Sequence, residues 1–404
     1  MIQKSKIGLI LLAVIAFAGV YMQYAKADIL AEPADKEDSG DISPELADEL
    51  ERLSNEMDFS AWQEYYDELS ESWSALDEYD DVKDLIESLA VGDAELETKN
   101  IEGAIKEIFL PGLQSAIAQM ICIIALGMLS GLCTMALGDD KGTKQVLMLI
   151  ISGTAILSIT ALFVSLINEA AQCMNRIAQF CSVAAPVLTG LLTALGCAGS
   201  AKLLNPALII LTNIILAVIL KVILPMLLAG GILNVINGLT DRMKLSRSVK
   251  LINSTVKWVL GLITTLYIAF NTIGGISSGV TDNITLRTTR YAIDRLVPAV
   301  GGMVSGAIDA VMGGAVMLKN AAGITAILIV ISIVLRPALK LIAGMLALRI
   351  AAAIIEPFAS SEISGMLDGT ADVVSFLFAS VSAAVSMLIV TIMIIIYVGN
   401  ALPV

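Results

Sequence analysis

Apolar residues along this chain follow three different patterns, and each predicts a different element. Between residues 43 and 90 they recur every three or four positions in a polar background. Leu46, Leu50 and Leu53 make one stripe, and Phe59, Trp62, Tyr66, Leu69 and Trp73 make another. A third runs through 81–90. This spacing puts each set on one face of a helix, so three short amphipathic helices are expected. The first opens on Ser43-Pro44-Glu45, which reads as an N-cap followed by proline at the first helical position.

Further on, the pattern changes to long apolar runs at 113–137, 146–168, 206–233, 258–280, 324–346 and 373–398. Each is long enough for a helix to cross a bilayer, which takes about 20 residues. Inside lipid every backbone group must be paired within the protein, and runs that do not alternate are helices, not barrel strands. The third pattern occurs at 181–199 and 296–318, both apolar but crowded with Gly and Ala. Length alone does not decide whether these two stretches cross fully or dip in and return. The expected fold is therefore all-α: a polytopic helical membrane protein of six to eight membrane segments, with a small acidic helical domain ahead of them.

Composition supports the membrane assignment. Of 404 residues, 57% are hydrophobic, and the mean hydropathy is +0.83, well above that of soluble domains. The net charge of −13 is unevenly spread, because residues 28–100 hold 25 acids against 4 bases. Residues 1–27 have a basic start, an apolar run and a small-x-small ending at Ala25-Lys26-Ala27. That is the signal-peptide pattern, with an uncleaved anchor as the alternative. Residues 28–42 read as an acidic disordered linker, and 43–110 as the acidic helical domain, exported and so extracytoplasmic. So small a domain has little core of its own. Its aromatic stripe, with Trp62, Tyr66 and Trp73, reads either as that modest core or as a surface that docks a partner.

The membrane part divides at residues 237–257, where Arg242, Lys244, Arg247, Lys250 and Lys257 face a single acid. By the positive-inside rule this is a cytoplasmic loop. It separates a first group of membrane helices (111–236) from a second (258–348), and 349–404 holds an amphipathic segment and the last span. With the acidic domain outside, the loop lands inside only if 181–199 does not cross, which favours a re-entrant segment there. A shift of 112 residues carries Pro186 and Pro225 onto Pro298 and Pro337 and suggests an internal repeat with helix breaks at those four prolines. Matching interrupted segments of that kind line the central site of many transporters.

Candidate chemistry is sparse. The chain has no histidine and only five cysteines, none in a CxxC pair, so His relays, triads and zinc sites are ruled out. Gly275 to Gly279 fits GxSxG, but without histidine and within a predicted helix it is a chance match. No phosphate-binding loop is present. The sequence therefore points away from an enzyme, from any cofactor and from nucleic-acid binding. Gly127/Gly131, Gly275/Gly279 and Gly302/Gly306 form GxxxG pairs suited to close helix packing, within the chain or in a homo-oligomer. Ionisable residues at membrane depth are functional candidates by default: Lys221, Asp309, Lys319, Arg336, Lys340, Arg349 and Glu356. A conduit would need Asp309 or Glu356 to pair with these bases. The plainer alternative has the bases reaching to the membrane surface.

Stretches 248–270, 296–323 ("LVPAVGGMVSGAIDAVMGGAVMLKNAAG") and 335–358 ("LRPALKLIAGMLALRIAAAIIEPF"), together with the overall layout, resemble the stage III sporulation protein AE family. The resemblance runs from about residue 43 onward. It implies a subunit of a multi-protein, secretion-like complex in the mother-cell membrane around the forespore. There it would join other membrane subunits in a channel needed for late forespore gene expression and forespore integrity, with the acidic domain in the intermembrane space. It implies no catalytic residues. A stand-alone secondary transporter and a purely structural anchor for other subunits are the competing classes.

Overall fold

The computed structural model describes residues 44–73, 76, 79–92, 94, 120–129, 141–195, 197, 210–239, 245–270, 301–357 and 361–400, with single positions at 114, 117, 118 and 132. The proposed signal peptide and linker lie outside these residues, as do Pro298, Gly131, Gly275 and Gly279. All regular structure among the described residues is helical.

Three short helices come first: α1 (Pro44–Glu56), α2 (Ser60–Ser72) and α3 (Val82–Val91). Helix α3 has an acidic cap, with Asp81 Oδ1 accepting from Asp84 N at 2.8 Å. It ends at Gly92, whose φ of 88° is the left-handed conformation that glycine adopts freely. Next comes α4 (Met120–Leu129), then α5 (Lys141–Ala194). Helices α6 (Thr212–Val218) and α7 (Leu224–Leu239) are joined by a π turn at Ile219–Ile223. Then follow α8 (Ser246–Phe270), α9 (Gly301–Ile355) and α10 (Ser361–Asn400). Five of these stretches are long and apolar enough to cross a membrane, so the chain is an all-α, multi-pass membrane protein.

The long helices correct several expectations. The run 146–168 and residues 181–194 of the first small-residue stretch belong to one helix, α5, and residues 301–318 of the second meet 324–346 within another, α9. Over those described residues neither stretch turns back as a re-entrant segment would; residues 196, 198–199 and 296–300 lie outside the description. The polar stretch between the two halves of α5 stays helical, as Glu and Arg readily do, and its charges are met from outside: Glu169 by Lys340 and Arg176 by Glu68. Pro186 and Pro337 sit inside continuous helices and break neither.

Each of these prolines still removes a donor from the carbonyl four residues back and opens the turn before it. At Pro337 a neighbouring group compensates. The Cys173 thiol donates to Ile333 O at 3.9 Å, the carbonyl that Pro337 frees. Pro225 acts differently, since the residues just before it widen into the π turn. The 112-residue shift fails as a structural repeat: it places the turn at Leu195, where α5 has ended, onto Ala307 inside α9. The basic loop is also shorter than expected, because Arg247, Lys250 and Lys257 already belong to α8.

Helix α9 is the axis of the molecule. It packs on α10, on α5 and on all three acidic helices. It runs antiparallel to α5, since Glu169 meets Lys340 while Cys173 reaches back to Ile333. Close approach depends on small residues: a Cβ at Gly323 would lie 2.6 Å from Ile396 Cδ1, and one at Gly127 would lie 2.7 Å from Ile355 Cγ1. At 54 residues and about 1.5 Å per residue, α5 is about 81 Å long, against a hydrocarbon core of about 30 Å.

Candidate functional site: the acidic helices and the polar groups buried between long helices

The acidic helices are mounted on the two long ones. Trp62, at 0% exposure, sits against α5 with its ring 5.7 Å from Phe180, and its Nε1 donates to Val183 O at 3.4 Å. That carbonyl lies in the turn before Pro186, next to the Ser182 carbonyl that the proline leaves without its helical donor. Tyr65 stacks edge-on to the same Phe180 at 5.1 Å. Helix α1 lies on the glycines of α9: a Cβ at Gly313 would come 3.3 Å from Leu46 Cδ1, and one at Gly314 would come 3.6 Å from Leu50 N. Gly190 of α5 faces Met57 in the same way, at 3.6 Å. Arg176 of α5 pairs with Glu68 of α2.

The Gly- and Ala-rich stretches, too small-sided for lipid, are thus the seats of the acidic helices. Glu51, Glu56, Glu64, Asp67 and Glu71 are exposed on those helices, and hydrocarbon does not accept them.

Of the two readings of the aromatic stripe, the structure fits the core one at Trp62 and Tyr66. Trp62 and Tyr66 are buried inside the protein, and Trp73 is half-buried with its indole Nε1 enclosed and unbonded. The Tyr66 hydroxyl lies 2.8 Å from Tyr79 O and 3.2 Å from Leu76 O. Burial, and then the carboxylates of Asp81 and Asp84, push its phenol up to about 12.

Polar groups are also buried between the long helices. Lys319 is fully buried on α9, and its Nζ donates to Ile396 O of α10 at 2.7 Å. Next to it, Asn320 is buried with its side-chain oxygen unbonded. A chain of hydroxyls ties three other helices together: Tyr267 of α8 lies 3.2 Å from Thr212 Oγ1 of α6 and 2.5 Å from Thr391 Oγ1 of α10. Further along, Asn234 of α7 donates to Met366 O at 2.8 Å and to Thr370 Oγ1 at 3.2 Å, both on α10.

Of the expected conduit residues, Lys319 and Lys340 meet partners, and Arg349 joins Asp372 of α10 at 3.1 Å. Lys221, Arg336 and Glu356 are exposed. Asp309, with Gly302 and Gly306, lies in the first ten residues of α9, whose side chains fall outside the description. Among the described residues the acids that meet these bases are Glu169 and Asp372; the expected pairing of Asp309 lies outside the described side chains, and Glu356 is exposed. Glu169 and Asp372 were missed because they stand immediately beyond the ends of predicted apolar runs, at 168 and 373. A weak signal was available, since Glu169 and Arg176 are seven residues apart and so share a helix face.

Three cations of α9 are thus each tied to a different point on a neighbouring helix. Contacts of this kind fix helix register. Among the described residues no three acidic or cysteine side chains gather where they could hold a metal ion.

Comparison with known proteins agrees with the layout. A curated relative, the stage III sporulation protein AE of Bacillus subtilis (strain 168), is 28% identical over 234 residues, which is 58% of this chain and 59% of the relative. No solved structure matches the chain. The family model described as stage III sporulation protein AE matches residues 80–399, from the last acidic helix to the end of the last membrane helix, and the chain therefore belongs to the stage III sporulation protein AE family.

Proposed function

We propose that this protein is a multi-pass membrane subunit of a sporulation-specific, secretion-like channel complex linking mother cell and forespore. Its own part is that of a mounting: the membrane helices hold the acidic helices at a fixed angle, and the outward carboxylates receive the other subunits. The observation that carries this reading is the seating of α1 and α2 on α5 and α9 through Trp62, Leu46 and Met57. A domain so fixed presents its charged face in one orientation. Family membership supplies the sporulation role.

Within this reading the chain is non-catalytic and needs no cofactor. The anchor form is favoured over a conduit through the monomer because Lys319, Lys340 and Arg349 are all engaged by neighbouring helices. The test is charge reversal on the outward face. Glu64→Lys, Asp67→Lys and Glu71→Lys together leave the buried contacts intact. A tagged variant recovered from sporulating cells is expected to reach the membrane and to lose the other membrane subunits on purification. Undiminished recovery of those subunits contradicts the proposal.

A further inference from the structure

Helix α8 stands apart from the other long helices. A narrow seam of Val249, Val256, Leu260 and Tyr267 attaches it to the bundle, and most of its remaining surface is exposed. Its charge is one-sided: Arg247, Lys250 and Lys257, with no acid between Ser246 and Phe270. All three are exposed, and none is in an ion pair with a described residue. With Ser254 they follow a three, four, three spacing, which keeps them on one flank of the helix. Leu251, Trp258 and Leu262 lie on the adjoining flank, exposed by 68%, 78% and 59%. Two strips thus run side by side along the same turns, one cationic and hydrogen-bonding, the other apolar with a tryptophan.

We infer that this double strip is a binding site for an anionic phospholipid of the surrounding bilayer. The phosphate and headgroup lie along Arg247, Lys250, Ser254 and Lys257, and an acyl chain lies against Leu251, Trp258 and Leu262. The charge pattern decides the class of occupant. A neutral lipid needs no cations, and an acidic protein segment would leave the neighbouring apolar strip without a partner in hydrocarbon. Long lysine and arginine stems let the charges reach headgroup level while their methylenes lie on the apolar strip. Tryptophan favours this interfacial level. Each cation near the membrane surface strengthens binding of anionic lipid about fivefold.

Trp258 is a built-in reporter. The full chain is reconstituted into vesicles of phosphatidylcholine with a minor fraction of phosphatidylglycerol, and one lipid or the other carries brominated acyl chains. Quenching assigned to Trp258 is the difference between the protein and its Trp258→Phe variant. Brominated phosphatidylglycerol is expected to quench several-fold more strongly than brominated phosphatidylcholine at equal mole fraction. Lys250→Gln with Lys257→Gln is expected to weaken binding of the anionic lipid roughly twenty-five-fold and so to bring the two lipids to equal quenching, while Lys250→Arg with Lys257→Arg keeps the preference. Equal quenching by the two lipids in the unaltered protein overturns the inference. Loss of the preference in the arginine variant overturns it too, as does competition by millimolar free phosphate, which would make the site one for soluble anions.

Discussion

The indole Nε1 of Trp62 donates to the carbonyl of Val183, 3.4 Å away, in the turn of α5 that precedes Pro186. One bond thereby joins the acidic helices to a membrane-protein helix, at a carbonyl beside the proline that opens the ladder. The indole also buries its ring against Phe180. Trp62→Ala is expected to cost about 3–5 kcal/mol of packing. It should release the acidic helices, seen as faster amide exchange in residues 44–92 and 176–190. Trp62→Phe should lose less, since it keeps most of the ring. Unchanged exchange in both variants would mean that the contact holds nothing.

The Arg176–Glu68 pair spans the same interface but is partly exposed, at 39% and 47%. Exposed pairs contribute about 0–1 kcal/mol. Glu68→Gln is therefore expected to shift the thermal midpoint little, well below the effect of Trp62→Ala. A larger shift for Glu68→Gln would reverse this ranking of apolar over ionic attachment.

How much of this was legible in advance differs element by element. The three acidic helices were read from their stripes, and the long apolar runs were read as membrane helices. The joins were not. Hydropathy drops at Asn168, Glu169 and Arg176, so the run appeared to end there. The residues that meet those charges, Lys340 and Glu68, lie 171 and 108 positions away. Proline at 186 and 337 carries a local penalty that packing overrides, and no local window around Pro337 contains Cys173, which meets the carbonyl it frees. The stripe Trp62–Tyr66–Trp73 left core and docking surface open as alternatives. Its partner, the Gly- and Ala-rich face of the same chain, became evident only once those glycines were seen under α1.

The Tyr66 phenol supplies a pH dependence. It is neutral in the fold, pushed up to about 12 from the usual 10.0. Its contribution to stability is complete below pH 10 and is lost as pH rises from 10 to 12, because the unfolded phenol ionises first. Near-ultraviolet circular dichroism of the acidic helices should fade over that range. Tyr66→Phe should remove this step, at the cost of the bonds to Tyr79 O and Leu76 O. Fading at the same pH in the variant assigns the step to another group.

Lys319 gives a test of the α9–α10 contact. Lys319→Met keeps the bulk and removes the donor to Ile396 O, which should cost about 1–3 kcal/mol. Lys319→Ala adds a cavity and should cost more. Melting of the purified protein in detergent should order them as unaltered, then Met, then Ala. A methionine variant more stable than the parent would show that the buried cation opposes folding and is kept for another reason.

Glu169 and Lys340 are tested by exchange. Glu169→Lys alone sets two cations together between α5 and α9 and should destabilise. Adding Lys340→Glu should restore most of the loss, and independent, additive effects would contradict a direct pair.

The central claim is that the acidic helices sit on the small-residue faces of α5 and α9. The most direct measurement is the distance from Met57 to Gly190, now in van der Waals contact at 3.6 Å from the Met57 sulfur to the Cβ position. With the five native cysteines replaced, Met57→Cys and Gly190→Cys are introduced into the full chain in membranes. A short bifunctional thiol reagent is then applied, and the chain is cut by protease between residues 92 and 120. The account predicts that the two fragments stay covalently joined in most of the protein. Separate fragments, while each cysteine alone reacts with a monofunctional reagent, would show that the acidic helices are not seated there.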